Sequence, residues 1–378
     1  MEDCLIMSYK INGVETIKDS RQGNFDICNP GQFASAPGSK QLGDIYYNTT
    51  ENTLYVWDGS LWIKAGGVVT QSGAPSVSTS GATLTTETDS GGYTWNRATW
   101  TSSGTITVDA LSTDPDRNIV QYLVVGGGGA GGWSHAGGGG GGGVIWGQTT
   151  LVGGETPVTV GSGGRKPVQY DNCTSGGYSY IFGARAEGGG KSIWETTEAR
   201  QAEFNGGSGG GSTGHPSRND VDQIGLGNKR ASSTTDAYIE QGNNGGRGYT
   251  PGFGLYRSQG GGGGAQSAGS NGGSSPGAGG SGIKPADWVG TSVGENGFFG
   301  GGGGGGYLQI AGSSTGPASG GNGGGGNGCA SDGGTPAQDG TPNTGGGGGG
   351  GLMRYEPSYI EQAGGGGGSG IVIIRWRT

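Results

Sequence analysis

The sequence predicts a mostly β and irregular fold, in which a small β layer frames a bundle of extended glycine helices with long loops. A β-meander module is expected to precede this domain. Glycine supplies 99 of the 378 residues and is concentrated in blocks. One apolar segment leads into the glycine-rich region and another leads out of it. The aromatic residues of the region stand mainly between the blocks, which is typical of ordered packing and not of a flexible linker.

The glycine blocks must be ordered by their backbone, because they have no side chains with which to build an apolar core. Residues 137–143 and 300–306 are among the purest runs. An extended helix of the polyproline type has no internal hydrogen bonds, so each N–H and C=O needs a partner on another chain segment. Only glycine lets such helices pack closely on every side. We therefore expect a laterally bonded bundle with no room for a Cβ at Gly140 or Gly303.

The apolar segments at the borders of the glycine-rich region predict the β layer. Residues 119–125 read IVQYLVV and run directly into glycine, and residues 371–376 read IVIIRW and follow the last glycine run. Residues 93–108 add two predicted strands. We expect 119–125 and 371–376 to share one small sheet, because a domain built from such runs must bring its two ends together.

The N-terminal part has an ordinary composition and alternating polarity. The stretch GDIYYNTTENTLYVWDGSLWIKAG predicts antiparallel strands at residues 44–48, 53–57 and 61–64. Its aromatic residues Tyr46, Tyr55, Trp57 and Trp62 exceed what so short a meander buries alone. The predicted divisions are an N-terminal module at 1–67, a Ser/Thr/Gly linker at 68–90 and a glycine-rich domain at 91–378, with framing strands at 91–125 and 371–378 and the bundle at 126–370.

Composition excludes several classes of protein. The net charge of −8 is mildly acidic, which disfavours nucleic acid as a partner. The glycines lack the three-residue period of collagen, and most runs lack the Asp of calcium-binding nonapeptide repeats. No apolar run approaches 18 residues, so no membrane insertion is expected. The cysteines are widely spaced and are interpreted as structural thiols: Cys4, Cys28, Cys173 and Cys329.

No chemical motif predicts catalysis, a metal or a cofactor. The Gly-Lys-Ser at 190–192 lacks the earlier glycine of a phosphate loop, because Arg185 occupies that position. His135 and His215 are interpreted as solvated loop residues. The carboxylates Glu195, Glu198 and Glu203 are compatible with a glycosidase pair, but a solvated loop face is favoured.

The loop aromatics carry the sharpest functional signal, and two interpretations stay open. They either cap the ends of the bundle and exclude water, or they form a contact surface, because aromatic rings supply much contact area at small entropic cost. The candidate binding residues are Trp133, Trp194, Phe204, Tyr249, Phe253, Tyr256, Trp288, Phe298 and Phe299.

The framing strands and glycine runs resemble those of phage and phage-like tail-fibre proteins with a glycine-rich domain. The matching stretches are TWTSSGTITV, VQYLVVGGGGAGG, GGGGGGGVIWGQTTLVGGETPVTVGSGG and GGGGGSGIVIIRWRT, which frame residues 91–378. The N-terminal INGVETIKDSRQGNFDI and GDIYYNTTENTLYVWDGSLWIKA resemble fibre modules of marine and cyanobacterial phages. The resemblance is specific in the strands and weak in the loops.

This resemblance implies a polyglycine II bundle like that of T-even-type fibre-tip adhesins, whose tip loops bind the host receptor. It implies a virion protein, assembled in the host cytoplasm, whose partner is a protein or glycan on the host surface. Residues 1–67 would join other tail or fibre proteins and form a homotrimer. Since those adhesins are separate tip proteins, both a tip adhesin and a whole short fibre remain open. The alternative is a structural or ice-binding glycine-rich protein without a receptor.

If successive runs are antiparallel, their loops fall alternately at the two ends of the bundle. Counting from residue 126 predicts a distal, receptor-binding end that carries Trp194, Tyr256 and Trp288 as the main anchors. The loops predicted at that end are 133–136, 191–205, 249–259, 283–299 and 329–344. The loops predicted at the other end are 144–187, 212–241 and 352–362.

Overall fold

The computed structural model is mostly β and irregular, and it divides into one unit at Met1–Thr70 and another at Gln71–Thr378. No α-helix occurs in the part of the chain that it describes, where short 3-10 turns lie at Pro115–Asn118 and Asp287–Val289. The described residues are 10–11, 14–15, 31–33, 45–48, 53–57, 62–64, 70–71, 73–168, 173–192, 202–213, 224–228, 237–240, 242–249, 256–309, 316–331, 333–355 and 357–378.

The strands of the first unit are short, and those of the second unit cluster in one large sheet and two small ones. Their bounds are β1 Lys10–Ile11, β2 Val14–Glu15, β3 Gly31–Phe33, β4 Ile45–Asn48, β5 Thr53–Trp57, β6 Trp62–Lys64, β7 Thr70–Gln71, β8 Ser76–Thr88, β9 Thr94–Ser112, β10 Ile119–Val125, β11 Val144–Thr150, β12 Gly154–Val158, β13 Ser179–Ile181, β14 Ala184–Ala186, β15 Ala237–Glu240, β16 Tyr256–Ser258, β17 Tyr307–Gln309, β18 Leu352–Arg354, β19 Ile360–Gln362 and β20 Ile371–Arg377.

The predicted meander of the first unit is confirmed. Strands β4, β5 and β6 pair antiparallel in sequence order, and β3 adds a parallel neighbour to β4. Tyr55 is half-buried. The side chains of Tyr46, Trp57 and Trp62 lie outside the described residues, so the expected excess of aromatic surface stays a prediction.

The predicted sharing of one sheet by the two framing strands is also confirmed. The large sheet runs in the order β12-β9-β20-β10-β11-β15, and β8 pairs with β9. Leu123 of β10 lies opposite Ile373 of β20, which lies opposite Thr99 of β9. Strand β20 therefore lies between β10, which leads into the glycine runs, and β9.

The linker predicted at 68–90 is wrong for residues 76–88, which form strand β8, and the two strands predicted within 93–108 are one long strand, β9. Threonine is abundant in β8, and its branched side chain suits an extended backbone. The pairing of β8 with β9 shifts register between Ser80 and Ala82. Gly81 has φ +78° there, and a Cβ at Gly104 would overlap the Ser80 carbonyl. Gly81 in β8 supplies the positive φ and Gly104 in β9 the close backbone approach, so the two strands stay paired on both sides of the shift.

The large sheet buries apolar side chains on both faces, because side chains alternate along a strand. One face holds Trp100, Tyr122 and Ile374 in a cluster that extends to β13 and β14. The other face holds Leu123 and Ile373 in a cluster with residues of the segment 283–299. The framing strands thus read as continuous apolar runs and not as alternating ones.

The glycine runs form a lattice in which one run bonds to several others. The N–H groups of every third residue in 137–143 donate to the same neighbouring run, as the threefold symmetry of a polyglycine II helix requires. Three neighbours accept these bonds, and further runs donate to the carbonyls. The donor–acceptor pairs are Gly138–Gly260, Gly141–Gly263, Gly139–Gly348, Gly142–Gly345, Gly140–Gly190 and Gly143–Glu187, at 2.7 to 3.1 Å.

The lattice leaves no space for side chains at its centre. A Cβ added at Gly140 would overlap the carbonyl oxygen of Ser208, and one at Gly303 would overlap that of Gly348. The predicted exclusion of a Cβ at both positions is therefore confirmed. Gly273, at a turn of the bundle surface, has no atom within 4 Å of such a Cβ.

Candidate functional site

The lattice has two ends, defined by where its runs begin and finish. At the sheet end, Gly126 follows β10 and its N–H donates to Gly143. At the far end, the N–H of Gly132 donates to Gly137, and that of Gly351 donates to Gly132. The far end is the one directed away from the large sheet.

Four short strands form a sheet at the far end, in the order β16-β17-β18-β19. Strands β17 and β18 are parallel, which is unusual for such short strands, and the lattice explains it. Each continues an outward glycine run, 300–306 or 345–351. Those runs are already parallel, since Gly347 donates to Gly301 and Gly350 donates to Gly304.

A small core lies beneath this far-end sheet. Tyr307, Leu352 and Cys329 are buried together, with Ile360 packed against them. The Cys329 thiol donates to Gln362 Oε1 at 2.7 Å, and Gln362 Nε2 donates to the Gly333 carbonyl at 3.0 Å. These contacts anchor β19 and residues 333–335 to the lattice.

The outside of this region exposes a group of tyrosine and arginine side chains. Tyr249, Tyr355 and Tyr359 are 44%, 47% and 58% exposed, and the ring centroids of the last two lie 5.7 Å apart. Burial lowers the pKa of Arg257, and a Coulombic interaction with the Tyr355 side chain opposes that shift. We define Tyr249, Arg257, Tyr355 and Tyr359 as the far-end surface.

The structure brings some of the predicted binding residues to this end. Tyr249 forms a β-bridge with Ser258 at the end of β16, the strand that contains Tyr256. Trp133 is half-buried in the loop whose Ser134 N–H donates to Gln362 at 3.1 Å. The side chain of Tyr256 lies outside the described residues, as do Trp194 and Phe253 altogether.

Two predicted binding residues are fully buried and serve packing. Phe204 clusters with Ala130 and Cys173 inside the lattice. Phe299 clusters with Leu123 and Ile373 against the large sheet. Neither ring reaches the surface, so the interpretation of these two residues as contact residues is corrected to a structural one.

The segment 283–299 lies at the sheet end, not at the end where it was predicted. Ile283 and Phe299 exchange backbone hydrogen bonds of 2.9 Å beside the sheet core, and Phe298 belongs to the same segment. The Arg375 guanidinium lies 5.0 Å from the Trp288 ring centroid and 4.3 Å from that of Trp95. Trp288 therefore packs on the sheet, at the end of the lattice opposite to Trp133. Its role as a receptor anchor stays a prediction.

Hidden reversals of the chain explain this error. A turn at 273–276 divides residues 269–282 into two runs, since Gly272 donates to Arg247 and Gly277 donates to Gln259. A second inward run at 336–341 places 352–362 at the far end instead of the opposite one. The runs at 269–282 and 336–341 carry Ser, Asn, Gln or Asp at outward positions, so their sequences are not recognisable as glycine runs.

Other predicted features have different outcomes. His135 is buried, with its Nδ1 3.1 Å from Ser134 Oγ, so the expectation of a solvated residue is wrong. Glu203 pairs with Lys191 at 2.7 Å. Cys173 is a buried thiol like Cys329. His215, Glu195, Glu198, Cys4 and Cys28 lie outside the described residues.

The described residues contain neither a cluster of metal ligands nor a membrane-spanning helix. No group of three His, Cys, Asp or Glu residues able to hold a metal ion occurs among them. In the same part of the chain, none of the helices has the length and apolar character needed to cross a membrane.

Comparison with known proteins accords with this architecture. No curated protein matches the chain. A protein family described as a glycine-rich domain matches residues 101–377. The match begins within β9 and ends within β20, so it spans the sheet, the lattice and the far-end surface. The chain therefore belongs to the glycine-rich domain family.

Proposed function

We propose that this protein is a phage tail-fibre adhesin that binds a host-cell surface receptor, either a protein or a glycan, through the far end of its lattice. The observation that carries the proposal is the far-end surface itself. Exposed tyrosines and a partly buried arginine stand on loops and short strands that a rigid scaffold positions. Binding residues are found disproportionately in such loops.

The residue types of the far-end surface suit recognition. Tyrosine and arginine are enriched at interfaces and among residues whose truncation weakens binding. Tyr359 donates a hydrogen bond to Glu361 at 3.2 Å, which orients one of the rings. Little side-chain entropy is lost on binding when rings are held in advance.

The lattice also suits a protein whose loops must vary with the receptor. Its stability rests on backbone hydrogen bonds between the runs, so residues in the loops beyond them are free to change. We propose that residues 1–67 join the chain to other virion proteins as a homotrimer. A structural or ice-binding role has less support, because the outward positions of run 159–168 carry Ser162, Arg165 and Val168, which are chemically mixed.

Cell adsorption tests the proposal. The full chain, fluorescently labelled, is incubated with a panel of bacteria and cyanobacteria, and bound protein is counted by flow cytometry. We expect saturable binding to one group of strains and at least a tenfold loss in the variant Tyr249→Ala/Tyr355→Ala/Tyr359→Ala. The matched control is Leu84→Ala/Tyr93→Ala, which removes one exposed side chain of β8 and one that immediately precedes β9.

Two results would overturn the adhesin assignment. One is binding to no strain, and the other is binding that the triple variant leaves unchanged. Sedimentation tests the role of residues 1–67 separately, with a trimer expected for the full chain and a monomer for residues 71–378. Two monomers would refute the assembly role.

A further inference from the structure

We propose that an open groove beside hairpin β13–β14 is a second binding site, which takes a neutral saccharide. The groove has a volume of about 560 Å³. Sites for small molecules measure roughly 300 to 1,000 Å³. None of the residues of the far-end surface lines it, so this proposal goes beyond receptor binding by that surface. The side chains that carry the proposal are Tyr178, Arg185, Glu187, Asn205 and Asn228.

The floor of the groove is glycine backbone, exposed between neighbouring runs. A Cβ at Gly188 would overlap the Gly176 carbonyl, and one at Gly206 would overlap the Gly190 amide nitrogen. The neighbouring runs thus leave no room for side chains at these two positions of the floor. Among the backbone hydrogen bonds of the described residues, none uses the N–H of Gly188, which makes it an available donor.

One wall combines an aromatic ring with an ion pair. The Arg185 guanidinium lies 4.0 Å from the Tyr178 ring centroid and pairs with Glu187 at 2.9 Å. These contacts hold the ring in place while 42% of Tyr178 stays exposed. A sugar presents C–H groups that pack on an aromatic surface, and its hydroxyls donate to a carboxylate.

Two asparagine side chains of the lining supply amides. Asn205 Oδ1 accepts a hydrogen bond from the Leu226 N–H at 2.8 Å, which directs its NH₂ group as a donor. Asn228 is exposed in the same lining. Amides both donate and accept, which matches the double capacity of sugar hydroxyls.

The charge balance of the groove selects a neutral ligand. Arg185 is paired with Glu187, and the nearby Lys191 is paired with Glu203 at 2.7 Å. Neither cation is left without a counter-charge to attract a phosphate, sulfate or carboxylate. A phosphorylated or acidic sugar is therefore disfavoured relative to a neutral one.

Saturation-transfer NMR on the full chain tests the groove. The probes are the methyl glycosides of glucose, galactose, mannose and N-acetylglucosamine, with N-acetylneuraminic acid as the anionic probe. We expect millimolar binding of at least one neutral glycoside and at least tenfold weaker binding in Tyr178→Ala and in Asn228→Ala, with unchanged melting temperatures. These residues are exposed, so both variants are expected to fold.

The matched control is Tyr93→Ala, because Arg377 stacks on that exposed ring at 3.9 Å outside the groove. Its saccharide binding is expected to equal that of the unmodified chain. The proposal is overturned if no neutral glycoside binds, if the anionic probe binds more tightly, or if Tyr93→Ala weakens binding as much as Tyr178→Ala. Loss of cell adsorption in the far-end variant affects none of these outcomes.

Discussion

The large sheet and the glycine lattice share one domain, but side chains stabilise the sheet and backbone groups stabilise the lattice. In the sheet, strands such as β10 and β20 bury Leu123 and Ile373 without exposure to solvent. Such burial contributes about 25 cal/mol per Å² of apolar surface. In the lattice there is almost no apolar surface to bury, and the runs are joined by N–H···O=C bonds in several directions. Side chains stabilise the sheet, whereas their absence stabilises the lattice.

This contrast means that the two regions should respond in opposite ways to mutation. Removing atoms from a close-packed core leaves a cavity. Adding atoms to a close-packed lattice of backbone forces the runs apart and breaks hydrogen bonds. The sheet should therefore be sensitive to truncation and the lattice to enlargement.

The largest effect is expected where the sheet and the lattice depend on one strand. Deleting residues 371–378 removes β20 from between β9 and β10. The last glycine run then loses its attachment, so we expect the whole second unit to lose cooperative unfolding by circular dichroism and calorimetry. Deleting Thr378 alone is the control and should leave the transition in place. A cooperative transition in the longer deletion would contradict the shared dependence.

Enlargement at the lattice centre is expected to be nearly as damaging. Gly303→Val should cost more than about 3 kcal/mol, because it combines overpacking with lost backbone bonds. The matched control is Gly273→Val, which has open space around its Cβ and should change stability by less than about 0.5 kcal/mol. Denaturant unfolding measures both. Equal stability of the two variants would refute a backbone-bonded lattice.

Truncating a buried side chain should destabilise the sheet more than the lattice. Trp100 is fully buried and its Nε1 donates to the Ser80 carbonyl at 2.9 Å, so Trp100→Ala should cost about 3–5 kcal/mol. Ala130 is equally buried in the lattice, yet Ala130→Gly should cost only about 1 kcal/mol. Chemical denaturation of both variants tests the contrast. A larger loss for Ala130→Gly would show that side chains matter in the lattice too.

Lowering the pH should slightly reduce the stability of the sheet, through the turn that contains Asp89. The hydrogen bond from Trp95 Nε1, at 2.8 Å, and those from the Tyr93 and Gly91 N–H groups lower the pKa of Asp89 below its usual 3.8. A carboxyl with a lowered folded pKa stabilises fully above the unfolded pKa, and this contribution is lost as pH falls through the folded value. Melting temperatures of Asp89→Asn should therefore fall less steeply below pH 4.

The control for this small effect is Asp116→Asn, which removes an exposed carboxylate outside the turn. Its melting temperature should follow that of the unmodified chain at every pH. A profile of Asp89→Asn that matches the unmodified chain below pH 4 would mean that Trp95 and the turn amides contribute no acid sensitivity.

The candidate site was only partly predictable. Tyr249 was singled out because an aromatic residue stands in a segment between glycine runs, and it is exposed at the far end. Tyr355 and Tyr359 were missed, because their loop was assigned to the other end. Phe204 and Phe299 were indistinguishable from exposed aromatics in the sequence. Whether a loop aromatic is buried depends on which glycine runs surround its loop. The residues next to it in the sequence do not indicate which runs those are.

Two kinds of order in this protein follow directly from its amino-acid sequence. The apolar strands at residues 119–125 and 371–376 need a sheet in which to bury their side chains. The long glycine runs need lateral hydrogen bonds to pair their backbone N–H and C=O groups. Tertiary structure alone decided which run lies beside which and which loops meet at the far end. The reason is physical: glycine runs are chemically identical, so their pairing has no local code. It is set by turns such as 273–276, by the lengths of the runs and by the closure of the sheet by β20.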